Sequence, residues 1–380
     1  MTQEKTKLLL VADTYRPNVD GTIKFIEEFT TRAKKEFDLT LIVPKFGQGE
    51  KSKDGETILL ETSKRIIPLP TYPLIKPSLA NLRKIKKAVK NTNIVFVQGP
   101  ALASLLSIYY AWKFKKKSVF YIHVLPWELF DKSTQTILGK LLSYFVEKVS
   151  IFIYNRCTCL FVPYHELQEQ LSSLGVNKPT KVAKLGVDIN RFVPIKDKQT
   201  KKRKIGLDSD KFVIGYVGRV SKEKNIPILK EAFQKLIEIQ NKQLLIVGDG
   251  SQEQTEELKN IKDIKLTGFV DNVEDYMKAM DVFVLPSLTE TTSLVTLEAM
   301  SCGLPVIVSK IGFMKKYVIK NHNGIFFPKD SSSVLAIKIL KLAKNEKFRH
   351  KLGQNARKTV AYSFSWERSI NRIKKLLQTL

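Results

Sequence analysis

Three observations predict an α/β fold of two domains, each a parallel sheet covered by helices. Short apolar runs of strand length alternate with longer helix-forming segments, the pattern of parallel strands joined by helical crossovers. The pattern restarts near residue 212, where an apolar strand again runs into a glycine-bearing turn and a helix, as it does after residue 8. At 380 residues the chain can build two such domains, each with its own core.

In chain order, residues 8–12 form the first strand, and the loop from Asp13 to Gly21 opens a helix that runs to about residue 35. Strand 39–43, helix 81–90, strand 94–98, helix 102–114 and strand 119–122 continue the alternation. Helical stretch 134–154, strand 159–162, helix 164–174 and strand 182–185 complete a first domain, 1–194. Residues 195–210 carry many Lys and Arg and no apolar period, so they read as a solvated linker. The second domain, 211–362, opens with strand 212–217 and helix 227–240. Its later strands are 244–247, 265–267 and 282–285; a polar turn, a helix from about Ser293 and a buried strand opening at Pro305 follow. A last amphipathic helix lies within 363–380.

Charge narrows the partners. With 64 Lys and Arg against 37 Asp and Glu, the net charge of +27 calls for an anionic partner: nucleic acid, an anionic membrane or the phosphates of a nucleotide sugar. Between Thr62 and Trp127 there is no acid, while twelve Lys and Arg occur, among them Lys84, Lys86, Lys87 and Lys115, Lys116, Lys117. Leu79, Leu82, Ile85 and Val89 recur at helical spacing and leave the first of these clusters on another face; Trp112 and Phe114 adjoin the second, a composition suited to an anionic bilayer surface. Three cysteines with no metal-like grouping fit a reduced cytosolic compartment. A charged start and the lack of an apolar run of spanning length predict a soluble or peripheral protein. A Gly-x-Gly-x-x-Gly spacing is absent, which disfavours a nicotinamide enzyme.

Candidate site residues gather at predicted strand ends, where open α/β sheets keep their ligands. Glu290 lies in the turn after strand 282–285 and Glu298 one and a half turns into the next helix, so both carboxylates can face one ligand. The helix-start amides around Thr292, Ser293 and Leu294 add donors and partial positive charge. After strand 212–217, Gly218, Arg219 and Lys224 precede a helix and form a diphosphate clamp. Gly21, at the first helix start, lets backbone amides approach a phosphate. His123, one of four histidines, ends strand 119–122. Asp208-Ser-Asp210 resembles an Asp-x-Asp metal motif but sits in the basic linker, so no metal site is expected.

These residues resemble a known family. Glu290 and Glu298, eight apart and followed by Ala-Met-Ser-Cys-Gly-Leu-Pro-Val, are similar to the Glu-x7-Glu signature of glycosyltransferase family 4, whose fold is GT-B: two Rossmann-like domains facing a cleft, with a C-terminal helix crossing back to the first. Gly218-Arg219-x(4)-Lys224, Gly186-Val187-Asp188 and Tyr15-x-Pro17-x-x-Asp20-Gly21 resemble further family elements, the last with Asp20 in place of a glycine, and Gly268-Phe269-Val270 resembles the loop at the nucleotide base. The resemblance implies that Glu290 holds sugar hydroxyls, Glu298 the donor ribose and His123 the donor sugar near its reacting carbon. Thr291-Thr292-Ser293 stands where the family has a glycine-rich string. It further implies a retaining transfer of an α-linked hexose, of glucose or mannose type, from a UDP- or GDP-sugar, with no cofactor and no metal. The implied acceptor is a membrane lipid or lipid-linked glycan, at the cytoplasmic face of the cell membrane. A soluble acceptor, a sugar-nucleotide epimerase of the same fold and a nucleic-acid-binding protein are the alternatives; the last explains the charge but not the clustered Glu, His, Arg and Lys, so no nucleic acid partner is expected.

Overall fold

The computed structural model describes residues 4–18, 20–46, 56–63, 74–123, 125–127, 137–290 and 292–380. The chain divides into two compact units: Met1–Leu185 together with Ser369–Leu380, and Gly186–Arg368. The sequence boundaries differ: they end the first domain at 194, set 195–210 apart as a linker and end the second domain at 362, whereas Gly186 already belongs to the second unit, which continues through 195–210 to Arg368.

In the first unit, strands β1 (Thr6–Val11), β2 (Phe37–Pro44), β3 (Glu56–Leu60), β4 (Ile94–Val97), β5 (Lys117–Tyr121), β6 (Cys159–Val162) and β7 (Thr180–Val182) form one sheet in the order β3-β2-β1-β4-β5-β6-β7. Every pairing is parallel. The crossovers include helices α1 (Gly21–Ala33), α2 (Leu79–Lys90), α3 (Leu102–Lys113), α4 (Ile137–Tyr154) and α5 (His165–Ser173). Strand runs such as Ile94–Val97 and Cys159–Val162 are buried at every position, as strands covered on both faces must be. Sequence reading did not find β3. On α2, Ile85 and Val89 are buried as their spacing predicts, but Leu79 at the first turn is exposed.

The second unit repeats the topology. Its sheet runs β10 (Ile264–Leu266), β9 (Lys242–Val247), β8 (Phe212–Val217), β11 (Val282–Leu285), β12 (Val306–Ser309), β13 (Gly324–Phe327), again all parallel. Helices α6 (Lys198–Lys204), α7 (Ile226–Gln234), α8 (Gln252–Lys259), α9 (Val273–Ala279), α10 (Leu294–Ser301), α11 (Ser332–Lys344) and α12 (Glu346–Ser363) complete it. In both sheets the order reverses beside the first strand of the unit, between β1 and β4 and between β8 and β11. Loops leave in opposite directions there and open a crevice at the carboxyl ends.

Residues 195–210 are not the solvated linker their composition predicts. Asp197 caps α6 by accepting from the Thr200 amide, and Lys202 is buried, its ammonium donating to Asp281 (2.8 Å) and to the Lys211 carbonyl (2.7 Å). Asp281 also accepts from the Val213 amide, so a carboxylate eighty positions downstream anchors the segment to the start of β8. Asp208 and Asp210 form a turn, the Asp210 amide donating to Asp208. The final helix, α13 (Trp366–Gln378), starts in the second unit and continues into the first. There Ile370, Ile373 and Leu377 are buried, Ser369 donates to the Lys184 carbonyl and Lys374 pairs with Glu36 at 2.9 Å. Among the described residues no helix is long and apolar enough to cross a membrane.

Candidate active site

Glycines bring the strand-end loops of the second unit together. Gly218 after β8 (φ +141°) and Gly248 after β9 (φ +136°) approach so closely that a Cβ on Gly248 would lie 2.0 Å from the Gly218 carbonyl oxygen. One residue pair further on, the Val220 amide donates to the Asp249 carbonyl (2.7 Å), and the Gly248 amide donates to the Gly268 carbonyl (3.0 Å). The loops after β8, β9 and β10 are therefore stitched into one rim, and Val270 sits on it beside the exposed ring of Phe269.

Across the reversal point, the loops after β8 and β11 meet through charge. Lys224, on a 3₁₀ turn, places its ammonium 2.5 Å from Glu290 Oε1, and Ser287 donates to the same oxygen at 2.8 Å. Both partners are largely buried, with side chains 20% and 10% exposed. The Leu288 amide donates to the Glu223 carbonyl (2.8 Å), closing the two loops along the backbone as well. Arg219 behaves differently. Among the described residues its side chain pairs with Glu223, at 3.4 Å, with the two side chains 59% and 41% exposed, so the guanidinium is largely solvent-facing. The Glu223 carboxyl is pushed up by burial, but hydrogen bonding and the Arg219 and Lys224 charges outweigh this and hold it below its ordinary value. Below the rim, the Tyr216 hydroxyl donates to the Arg219 carbonyl (2.6 Å) and fixes where that residue leaves the strand.

Glu298 lies on α10, buried near Cys302 and the guanidinium of Arg191. Ser293 caps this helix, its hydroxyl accepting from the Thr296 amide (3.3 Å), while Leu294 opens its first turn and Thr292 precedes the cap with a buried hydroxyl. Thr291 lies outside the described residues. Sequence reading missed two arginines here. Arg191 pairs with Glu274 at 2.7 Å, and its pKa is pushed up chiefly by that hydrogen bond, with the charges of Glu298 and Asp188 adding. Arg357 on α12 donates to the carbonyls of Ile189, Phe192 and Ser301, tying the end of α10 to the 189–192 loop. Neither has a local signal, since the Glu274 that pairs with Arg191 and the carbonyls that Arg357 holds are distant in sequence.

His123 lies in the first unit, just after β5. Its Nε2 is 2.7 Å from Gln98 Oε1 and its ring stacks on Tyr121 at 4.3 Å, so the strand-end imidazole is held by the neighbouring strand end. Burial pushes its pKa down to about 4, which keeps the ring neutral at pH 7. After β1, Asp13 caps α3 across the reversal point, accepting from the Ala101, Ala103 and Ser104 amides at 2.9, 3.0 and 3.3 Å. Burial raises its carboxyl pKa. Gly21 differs from expectation. The first-turn amides of Thr22 and Ile23 already donate to the Asp20 carboxylate (2.8 and 2.9 Å), which puts an acid where a phosphate was expected. Of the sequence-derived residues in the second unit, Lys224 and Glu290 are in direct contact, Arg219 lies on the same loop, and Glu298, Ser293 and Leu294 share the adjoining helix.

Two family models cover most of the chain: "Glycosyltransferase Family 4" matches residues 19–191 and "Glycosyl transferases group 1" matches 197–359. The UDP-Gal:alpha-D-GlcNAc-diphosphoundecaprenol alpha-1,3-galactosyltransferase of Escherichia coli is 30% identical over 92% of this chain and 91% of its own length. The alpha-monoglucosyldiacylglycerol synthase of Acholeplasma laidlawii is 27% identical over 68% of each. Among solved structures, Anabaena HepE in complex with UDP matches with a TM-score of 0.79 at 18% identity, over 99% of this chain and 100% of that one. The likeness shows the GT-B fold class, two Rossmann-like α/β domains.

Proposed function

The chain belongs to glycosyltransferase family 4, and from that premise we propose that it is a retaining, metal-independent hexosyltransferase that moves an α-linked glucose- or mannose-type sugar from a UDP- or GDP-sugar to a membrane lipid or lipid-linked glycan. The observation that carries this reading is the Lys224–Glu290 pair at the β8/β11 reversal point, with the solvent-facing Arg219 on the same loop. One carboxylate oxygen is engaged by Lys224 and Ser287; the other accepts from a sugar hydroxyl, while Glu298 takes the ribose. As the bond from the sugar carbon to the diphosphate breaks, negative charge grows on the leaving phosphate oxygen. Arg219 and Lys224 meet that charge, more strongly in the transition state than in the ground state. With retention the acceptor oxygen attacks the face the diphosphate leaves, so the leaving phosphate is the nearest base for its proton. The neutral His123 offers a hydrogen bond to the donor sugar rather than a charge.

The acceptor class rests on two relatives, one named for alpha-D-GlcNAc-diphosphoundecaprenol and one for making a monoglucosyldiacylglycerol, and on the cationic first unit, in which Lys84, Lys86 and Lys87 are exposed on α2. This face suits the anionic inner surface of the cell membrane. The test is incubation with radiolabelled UDP- and GDP-sugars, with and without lipid extract. Label entering the organic phase only when lipid is present supports the reading; an isomerised nucleotide sugar formed without acceptor would make the protein an epimerase. Sedimentation with anionic vesicles is expected to weaken when Lys84, Lys86 and Lys87 become Glu.

A further inference from the structure

Helix α4 packs with the wrong side out. Its buried positions include Gly139, Ser143, Ser150 and Tyr154, small or polar residues except the last, and Ser143 donates to the Trp127 carbonyl at 3.1 Å. Its exposed positions are mainly large and apolar, with Lys140 and Lys148 among them: Leu141, Tyr144, Phe145 and Phe152 are each 56–64% exposed, with Leu142 beside them. Leu141, Phe145, Lys148 and Phe152 follow i, i+4, i+7, i+11 spacing and so form one stripe. A helix in contact only with water would carry the reverse pattern, and a contiguous apolar patch of this kind marks a surface that something covers.

The stripe continues onto α3 through one residue. The Arg156 guanidinium sits 3.2 Å from the Phe152 ring centre and 5.4 Å from that of the exposed Trp112, with exposed Tyr109 one turn before it. Cations lie over the other rings too: Lys148 over Tyr144 at 5.0 Å and Lys113 over Tyr109 at 5.9 Å. Aromatic rings flat under the heads of long cationic side chains are the arrangement of the boundary between acyl chains and headgroups. Next to Trp112, a shallow depression is lined by Lys113, Lys115, Lys116, Lys117, Arg156 and Lys178 and by no carboxylate among its described lining residues. The one acid of α4, Glu147, is within 3.4 Å of Lys148. We propose that the exposed face of α4, together with Tyr109 and Trp112 of α3, inserts into the headgroup–acyl boundary of an anionic phospholipid bilayer, with a lipid phosphate seated among the lysines of the adjoining depression.

This deepens the membrane reading above by naming the surface and its depth, and depends on it only for the choice of partner. The charge favours a bilayer over a second copy of the chain, because two such faces would repel each other. It also differs from simple attraction through α2, which needs no apolar contact.

The molecule carries its own probe. Of the three tryptophans, Trp127 and Trp366 are buried and Trp112 is exposed. The full-length protein is mixed with phosphatidylcholine vesicles containing about 30% phosphatidylglycerol and brominated acyl chains, and with vesicles of phosphatidylcholine alone. Blue-shifted, bromine-quenched emission is expected with the anionic vesicles and is lost in Trp112→Phe. The double substitution Phe145→Ser with Phe152→Ser is expected to weaken vesicle partitioning by roughly tenfold or more, with the circular dichroism melt unchanged because both rings are exposed. Unquenched Trp112 in the bound protein, or equal partitioning of the double variant, overturns the insertion and leaves the lipid-acceptor reading standing. Absence of vesicle binding combined with concentration-dependent dimers that the double variant abolishes would assign the face to a second copy and overturn it equally. Insertion without label transfer to lipid would support this surface while refuting the acceptor.

Discussion

Arg219→Ala separates catalysis from folding. Its contact with Glu223 is 3.4 Å long and both side chains are about half exposed, at 59% and 41%. Exposed pairs contribute ~0–1 kcal/mol, so the substitution is expected to cost no more than about 0.5 kcal/mol. For a unit of this size that is a fall in Tm of about 2 °C or less. The catalytic loss is of another order. A cation aimed at charge that develops only in the transition state is worth about 3 kcal/mol in a preorganised site, so kcat/KM is expected to fall roughly 10²-fold, mostly in kcat. Arg219→Lys retains the charge without the two-pronged fork and is expected to lie between. Lys224→Ala is the contrast: among the described residues it leaves the largely buried Glu290 with the Ser287 hydroxyl on Oε1 and no cation, so stability falls along with turnover, by about 3 kcal/mol. The assay is initial-rate transfer of labelled sugar over a range of donor concentrations, paired with thermal melts. Unchanged rates at both limiting and saturating donor would refute the clamp. A rise in KM alone would make Arg219 a ground-state binder and refute its transition-state role.

Three further outcomes are expected. With Arg219 and Lys224 in the proposed role of meeting the leaving-group charge, turnover is expected to survive EDTA; complete loss restored by Mg²⁺ would refute this. Burial lowers the His123 pKa from 6.5 to about 4, so the unfolded chain binds its proton first on acidification and stability is lost as pH falls from 6.5 towards 4, by about 3 kcal/mol in full. His123→Gln is expected to remove that share of the slope in denaturant melts, while Asp13, its pKa raised, contributes the opposite slope in both proteins. Gly248→Ala drives a Cβ to 2.0 Å from the Gly218 carbonyl at φ +136° and is expected to cost about 2–4 kcal/mol and to weaken calorimetric binding of whichever nucleoside diphosphate, UDP or GDP, the proposed donor carries; an unaltered melt would show that the rim can relax.

Much of the site was legible because its signals are local. A strand, a glycine, Arg219 and Lys224 before a helix, and a strand followed by Glu290, each occupy a dozen residues, and the sheet topology then brings the two loops side by side. What stayed hidden depends on distant partners. Lys202 looked solvated because Asp281, which neutralises it, lies beyond three strands of sequence. Gly248 gave no hint that its neighbour in space is Gly218, and Arg357 gave none of the three carbonyls it ties together. Gly21 is a different case. Asp20 at the residue before the helix is a strong N-cap, so the competing acceptor was present in the sequence beside the glycine assigned to phosphate. The inversion of α4 was beyond reach, since a largely apolar run does not say which side meets the sheet.

The helix that begins at Trp366 makes the first unit discontinuous: its last segment, Ser369–Leu380, is separated from Leu185 by the whole of the second unit. On the ribosome the sheet β1–β7 therefore emerges complete but without the segment Ser369–Leu380 that belongs to its unit, for the roughly 10–40 s that Gly186–Arg368 takes at ~5–20 residues per second. Over that interval the nascent first unit lacks Ile370, Ile373 and Leu377, all fully buried in the finished protein, and the Lys374–Glu36 pair. The later-made unit, being continuous, can close first. Order of synthesis and order of completion are thereby reversed, and a truncation that removed only Ser369–Leu380 would damage the unit of residues 1–185 rather than the one that immediately precedes the cut.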